Sequence, residues 1–176
     1  NLPFELTNAQ KKALFQIINN LNQRPMNRLL EGDVGSGKTI VSIGASLLTY
    51  YSGYQVALMA PTEVLAKQHY KKFKEFLKPF KIRIALLTSS EGRIYDNGLE
   101  GKLSKKALEK IIASSLPIIV IGTHALIQKN IKFSKLGLVI VDEQHRFGVE
   151  QRKKLLSQNK NQEIPQPSLP HYQKML

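Results

Sequence analysis

Two short stretches place chemically useful residue types at useful spacings. The first is Gly32-Asp33-Val34-Gly35-Ser36-Gly37-Lys38-Thr39, which matches G-x-x-x-x-G-K-[ST] without deviation. Glycines at 32, 35 and 37 let the backbone curl so that its N–H groups point inward at phosphate oxygens. Lys38 then reaches the β- and γ-phosphates of a nucleotide, and the Thr39 hydroxyl can ligate Mg2+. The second is Leu138-Val139-Ile140-Val141-Asp142-Glu143, an apolar run that delivers two adjacent carboxylates. The C-terminal end of a strand in a parallel sheet is where ligands bind. Asp142 would hold Mg2+ there, and Glu143 would orient and deprotonate an attacking water. Taken singly, one stretch is also a glycine-rich turn and the other a pair of acids on a turn. Together they make one nucleotide-hydrolysing constellation.

A phosphate loop needs a strand before it and a helix after it, because the helix adds its N-terminal dipole and N–H groups. A short strand at 27–30 leads in. A helix starts near Lys38 and runs to about Tyr51, with Gly53 as its C-terminal stop. Upstream, Thr7 and Gln10 form a capping box, and Leu14, Ile17, Ile18 and Leu21 follow on one helical face that ends before Pro25. Strands are predicted at 55–60, 82–88, 118–122 and 138–142. A helix opens at Pro61-Thr62-Glu63 with Ala66, Tyr70, Phe73 and Leu77 on one face. A Lys-rich helix is predicted over 103–114 with Leu108, Ile111 and Ile112 inward, and a last helix over 149–156. Residues 89–101, rich in Ser, Gly, Asp and Asn, read as a loop. The last two strands are continuously apolar, as expected of a parallel sheet covered on both faces. The β-α-β alternation predicts a three-layer α/β domain with a mostly parallel sheet over residues 1–157. Beyond Gln158 the chain is polar and carries Pro165, Pro167 and Pro170, so 158–176 reads as a poorly ordered tail.

The chain has 176 residues, 26 Lys+Arg and 13 Asp+Glu, for a formal charge of +13, and 42% of its residues are hydrophobic. That length suits one domain with its own core. The absence of Cys excludes disulfides, thiolate catalysis and Cys-based metal sites. No run approaches the roughly 18 apolar residues of a membrane span. The chain opens Asn1-Leu2-Pro3, without Met or a signal peptide, as a piece of a longer protein would. Basic excess suggests a polyanionic partner. Lys67, Lys71, Lys72, Lys74 and Lys78 lie on one helix, however, and Lys102, Lys105, Lys106 and Lys110 on or beside another. Such stripes are usually solvated faces.

Gln144 and His145 follow the two acids, so that the four residues spell a DEQH box. At this point the chain resembles the superfamily 2 helicases and translocases with a DExH-type box. Within them it is most similar to the RecG family of bacterial branch-migrating DNA helicases. The resemblance rests on Phe4-Glu5-Leu6-Thr7-Asn8-Ala9-Gln10, the 32–39 loop, Met59-Ala60-Pro61-Thr62-Glu63 with Gln68-His69, Ile121-Gly122-Thr123-His124, and Asp142-Glu143-Gln144-His145-Arg146-Phe147-Gly148-Val149 with Gln151-Arg152. It runs from Leu2 to about Leu156. The resemblance implies a RecA-like P-loop NTPase fold, ATP and Mg2+ as ligands, branched DNA as partner, and a bacterial cytoplasmic setting. It implies that Gln10 reads adenine, beside its capping role, with Phe4 against the base. Pro61, Thr62 and Glu63, and then Thr123 and His124, match motifs that touch the DNA backbone, where helix-start N–H groups suit phosphate. Thr62 is equally a plain helix cap. Gln144 and His145 would couple nucleotide state to DNA contact.

The sequence departs from that family where Ser89 stands in place of a usual Gly, and it follows the pattern loosely between 92 and 116. It also stops at Gln173-Lys174-Met175-Leu176, before the next motif, so that the second RecA-like lobe and the DNA-wedge domain are expected to lie outside this chain. Without the facing lobe's arginine, worth about 10³–10⁵ in rate, the chain is expected to bind Mg·ATP weakly, hydrolyse it slowly and not unwind DNA. Two alternatives remain open. One is the matching lobe of a transcription-repair coupling factor or replication-restart motor. The other is a non-catalytic nucleic-acid-binding fragment.

Overall fold

The computed structural model describes residues 5–23, 30, 35–128 and 130–143. Its elements run α1 (Asn8–Gln23), α2 (Lys38–Tyr51), β1 (Gln55–Met59), α3 (Glu63–Leu77), β2 (Arg83–Leu87), β3 (Gly92–Asp96), β4 (Leu99–Lys102), α4 (Lys105–Ala113), β5 (Ile119–Gly122), a 3-10 turn (His124–Ile127) and β6 (Leu136–Val141). The strand predicted at 27–30 (apart from Leu30), the helix at 149–156 and the tail at 158–176 lie outside the described residues. No described helix is long and apolar enough to cross a membrane.

The helices begin and end where local chemistry dictates. Thr7 and Gln10 close the capping box in both directions: the Thr7 N–H donates to Gln10 Oε1 (3.0 Å) and the Gln10 N–H to Thr7 Oγ1 (3.3 Å). Thr62 and Ser104 cap α3 and α4, each hydroxyl accepting from an N–H three residues on. Helix α2 ends where Gly53 adopts φ +84 and its N–H donates to the Tyr50 carbonyl, the left-handed stop predicted for it. On α3, Ala66, Tyr70, Phe73 and Leu77 are all buried, as their spacing predicts.

The six strands form one sheet in the order β4-β3-β2-β5-β1-β6. The four strands β2, β5, β1 and β6 run parallel. Every residue of β1 and β5 is buried, which explains why such strands carry no polar alternation. Successive residues still point to opposite faces. Val56 and Leu58 of β1 meet α1, α2 and α3, while Ala57 and Met59 meet α4 and the 3-10 turn. Two apolar cores therefore flank one sheet, which is the three-layer α/β architecture.

The segment 89–101, read as a loop, is largely a β-hairpin. β3 pairs antiparallel with β2 and with β4, and Asn97 (φ 49) and Gly98 (φ 96) make the two-residue connection. Both central residues are left-handed, the geometry that matches hairpin twist and selects Asn-Gly. A second unpredicted feature is Gln55. It is fully buried, and its carboxamide binds the carbonyls of Ile112, Ser114 and Leu116 and the N–H of Lys135.

Candidate active site

The parallel strands place their carboxyl ends along one edge. β1 runs into Ala60-Pro61-Thr62, β2 into Thr88, β5 into Thr123-His124 and β6 into Asp142-Glu143. The β1–β6 ladder extends past β6 itself, because the Asp142 N–H donates to the Met59 carbonyl (2.9 Å). Asp142 is thus pinned by its backbone before its side chain does anything. Its carboxylate Oδ2 lies 2.7 Å from His69 Nε2, on α3. That hydrogen bond, helped by the Glu143 N–H, outweighs burial and holds the Asp142 carboxyl below the usual Asp range. Glu143 is exposed and left-handed (φ 50), a conformation that costs a non-glycine residue about 1–2 kcal/mol.

The described half of the phosphate loop has the expected backbone. Gly35 (φ +87) and Gly37 (φ +83) are both left-handed. Gly37 is the N-cap of α2 and offers no side chain to cap the helix, so no capping side chain occupies the first-turn N–H groups. The loop is also tied to α1. Gln10 Nε2 donates to the Ser36 carbonyl (3.1 Å) while its Oε1 serves the capping box. A Cβ on Gly37 would sit 2.2 Å from Gln10 Nε2 and displace that carboxamide from the loop, and φ +83 itself favours glycine. The donors present suit Mg·ATP. Left-handed glycines before an uncapped helix make a phosphate cradle. One hydroxyl (Thr39) and one carboxylate (Asp142) are the oxygen donors taken by a Mg2+ ion held chiefly through phosphates and water.

The motifs matched to DNA contact divide differently. Thr62 caps α3. The Glu63 carboxylate accepts from the Ser90 N–H (3.1 Å) and hydroxyl (2.5 Å), which lower its pKa. Lys105 donates to the Ser89 carbonyl, and Glu91 pairs with Lys67 and Arg93, both at 2.7 Å. The loop at 88–91 is therefore held from α3, β3 and α4. Thr123 is buried, and its hydroxyl has no partner among the described residues, whereas its neighbour His124 is exposed. Lys67, Lys71, Lys72 and Lys78 are exposed on or just after α3, as are Lys102, Lys105, Lys106 and Lys110 around α4, in keeping with solvated faces, whereas Lys74 departs from that reading, half-buried against Tyr70 and Tyr95 and paired with Glu100. Phe4, Gly32, Asp33, Val34, Gln144 and His145 lie outside the described residues. The role of His69 went unread. It faces Asp142 across 73 residues, and only its place beside the buried Tyr70 hints that it points inward.

The profile of the DEAD/DEAH box helicase family matches residues 7–174. The chain is 52% identical over 160 residues to the ATP-dependent DNA helicase RecG of Aquifex aeolicus, covering 90% of this chain and 19% of that protein. It is 50% identical over 165 residues to RecG of Bacillus subtilis, covering 93% of this chain and 23% of that protein. It thus spans about a fifth of the length of the curated relatives it matches. Among solved structures, the ATP-dependent Type ISP restriction-modification enzyme LlaBIII bound to DNA superposes with a TM-score of 0.64 at 19% identity, over 88% of this chain and 12% of that one. That likeness speaks for the fold. The phosphate-loop motif, the paired acids after β6 and a family profile spanning nearly the whole chain agree: this chain belongs to the DEAD/DEAH box helicase family.

Proposed function

We propose that this chain is the ATP-binding lobe of an ATP-dependent DNA helicase or translocase of the RecG kind, acting on branched DNA in recombination and repair in the bacterial cytoplasm. The observation that carries the reading is the left-handed Gly35 and Gly37 leading into the uncapped start of α2 at Lys38, in one chain with the adjacent carboxylates Asp142 and Glu143 that follow β6. It occurs in a chain about half identical to RecG over nine-tenths of its length.

The loop N–H groups and the start of α2 bind the phosphates. Lys38 would neutralise the β- and γ-phosphate oxygens, and Thr39 and Asp142 would hold the metal. Bound Mg2+ would supply charge neutralisation on the transferring phosphoryl group. Glu143 orients the attacking water and takes its proton. Gln10 sits where it can read an adenine edge if its carboxamide exchanges the Ser36 carbonyl for the base. DNA meets the exposed Thr62 and His124, Pro61 and Glu63 flanking them, and Thr123 through its backbone. Gln144 and His145 link the two ligands. Alone, the 176-residue chain binds Mg·ATP, turns it over slowly and does not unwind DNA.

Lys38→Ala is the test. Charge-assisted hydrogen bonds are worth about 1.5–3 kcal/mol. The variant is therefore expected to bind a fluorescent ATP analogue about 10- to 100-fold more weakly, with its thermal transition unchanged. Single-stranded DNA binding should survive and fall steeply with salt. Equal nucleotide affinity in both proteins would reject the ATP-binding reading and favour a non-catalytic nucleic-acid-binding fragment.

A further inference from the structure

Asp142 is fixed twice, and the second fixing comes from a residue outside both the phosphate loop and the acid pair. Its N–H continues the β1–β6 ladder through the Met59 carbonyl, and its Oδ2 is held at 2.7 Å by His69 Nε2. A carboxylate only accepts, so Nε2–H is the donor in this bond. Nδ1 is buried and has no partner among the described residues. Among the described residues the imidazole therefore has one polar task, which is to hold Asp142. It performs that task from a rigid base. α3 is capped by Thr62, and the residues at 66 and 70, on either side of His69, are buried against the sheet.

We infer that His69 is a positioning residue for the metal-holding carboxylate: its Nε2–H fixes Oδ2, so that Asp142 presents its remaining lone pairs to Mg2+ in one orientation. The inference rests on the reading of Asp142 as the metal acid. Metal-ligating carboxylates are themselves held by hydrogen bonds, and loss of such a partner commonly lowers metal affinity or activity by about 10–100-fold. The placement has a further consequence. His69 belongs to the helix whose first turn carries the residues matched to DNA contact, so one side chain joins that helix directly to the metal acid. A shift of α3 along its axis would be felt at Asp142 without passing through the phosphate loop.

The test uses the whole chain and three proteins: wild type, His69→Leu, which fills the space without a donor, and His69→Gln, whose amide N–H can take the place of Nε2–H. Affinity for a fluorescent ATP analogue is measured in saturating Mg2+ and again in excess EDTA, alongside thermal denaturation. In Mg2+, His69→Leu is expected to bind about tenfold more weakly than wild type. In EDTA it should bind equally well, and His69→Gln should recover most of the loss. A Leu variant that keeps the full Mg2+ gain overturns the inference, as does one that loses affinity equally in both buffers, since that marks a merely structural role. If wild type itself gains nothing from Mg2+, the reading of Asp142 as the metal acid fails first. That outcome is separable because it appears before any substitution is compared.

Discussion

Gln55→Leu is expected to destabilise the chain by about 3–5 kcal/mol, read as a fall in the urea midpoint with an unchanged slope. Gln55 opens β1 and is fully buried. Its Nε2 lies 2.9, 2.8 and 3.2 Å from the carbonyls of Ile112, Ser114 and Leu116, and its Oε1 accepts from the Lys135 N–H at 3.0 Å. The two Nε2 hydrogens are shared among three carbonyls, so one carboxamide ties together the end of α4, the turn into β5 and the approach to β6. Leucine has similar bulk, so no large cavity opens. The loss is of hydrogen bonds, and each buried group left without one costs about 1–3 kcal/mol. Water can reach the turn around Leu116, which is half exposed, so the full sum is not paid. Gln55→Glu discriminates further. It keeps the shape and the acceptor, removes the donor and buries a charge beside three carbonyl oxygens, so it should be worse than leucine. Against a typical total of about 5–15 kcal/mol, either loss is severe. A glutamate variant as stable as wild type would show that the carboxamide is not what joins these segments.

Gly122→Ala is expected to cost about 3 kcal/mol, at the upper end of ordinary overpacking. Gly122 ends β5 between β2 and β1, in register with Leu87 on one side and Met59 on the other. A Cβ there would lie 2.2 Å from the Leu87 carbonyl oxygen and 3.0 Å from Leu126 Cδ2 and Cγ. The nearest atom is backbone in a central parallel strand, so no side chain can swing aside. Relief means parting β5 from β2 or breaking the bond from the Ala60 N–H to the Gly122 carbonyl (2.8 Å). Either movement disturbs the strand ends that carry the site, so nucleotide affinity should fall together with thermal stability. A fully stable Gly122→Ala protein would mean that the β2–β5 spacing is looser than the register indicates.

Much of this fold is legible without coordinates, because the strongest signals are local. The capping box at Thr7 and Gln10, the buried faces of α1 and α3, the left-handed stop at Gly53 and the apolar parallel strands are all written within about ten residues of where they act. The hairpin at 92–102 was obscured by its own composition. Its strands contain Gly92 and Gly101, and β4 is exposed at all four positions, so neither strand shows an apolar face. The Asn97-Gly98 pair was the available signal. In the candidate site, the glycine-lysine loop and the acid pair are readable because their chemistry is contiguous in the chain. The Asp142–His69 bond and the grip of Gln55 are not, since each joins residues more than fifty positions apart through side chains that no periodicity distinguishes. The burial of Thr123 was hidden for a related reason: a threonine at a strand end looks the same whether its hydroxyl faces solvent or the core.

The hairpin also decides which strand forms one border of the sheet. β2 carries Ile84, Ala85, Leu86 and Leu87, all buried. Without β3 and β4 that run would stand as the open border of the sheet, with its N–H and C=O groups unpaired and ready to template another chain. The chain instead turns back twice. It ends the sheet on a four-residue strand that carries Glu100, Gly101 and Lys102, short and charged, as borders that resist edge-to-edge association tend to be. Thirteen polar and glycine-rich residues that look like slack between two elements thus serve as a selvedge along the β2 side of the sheet.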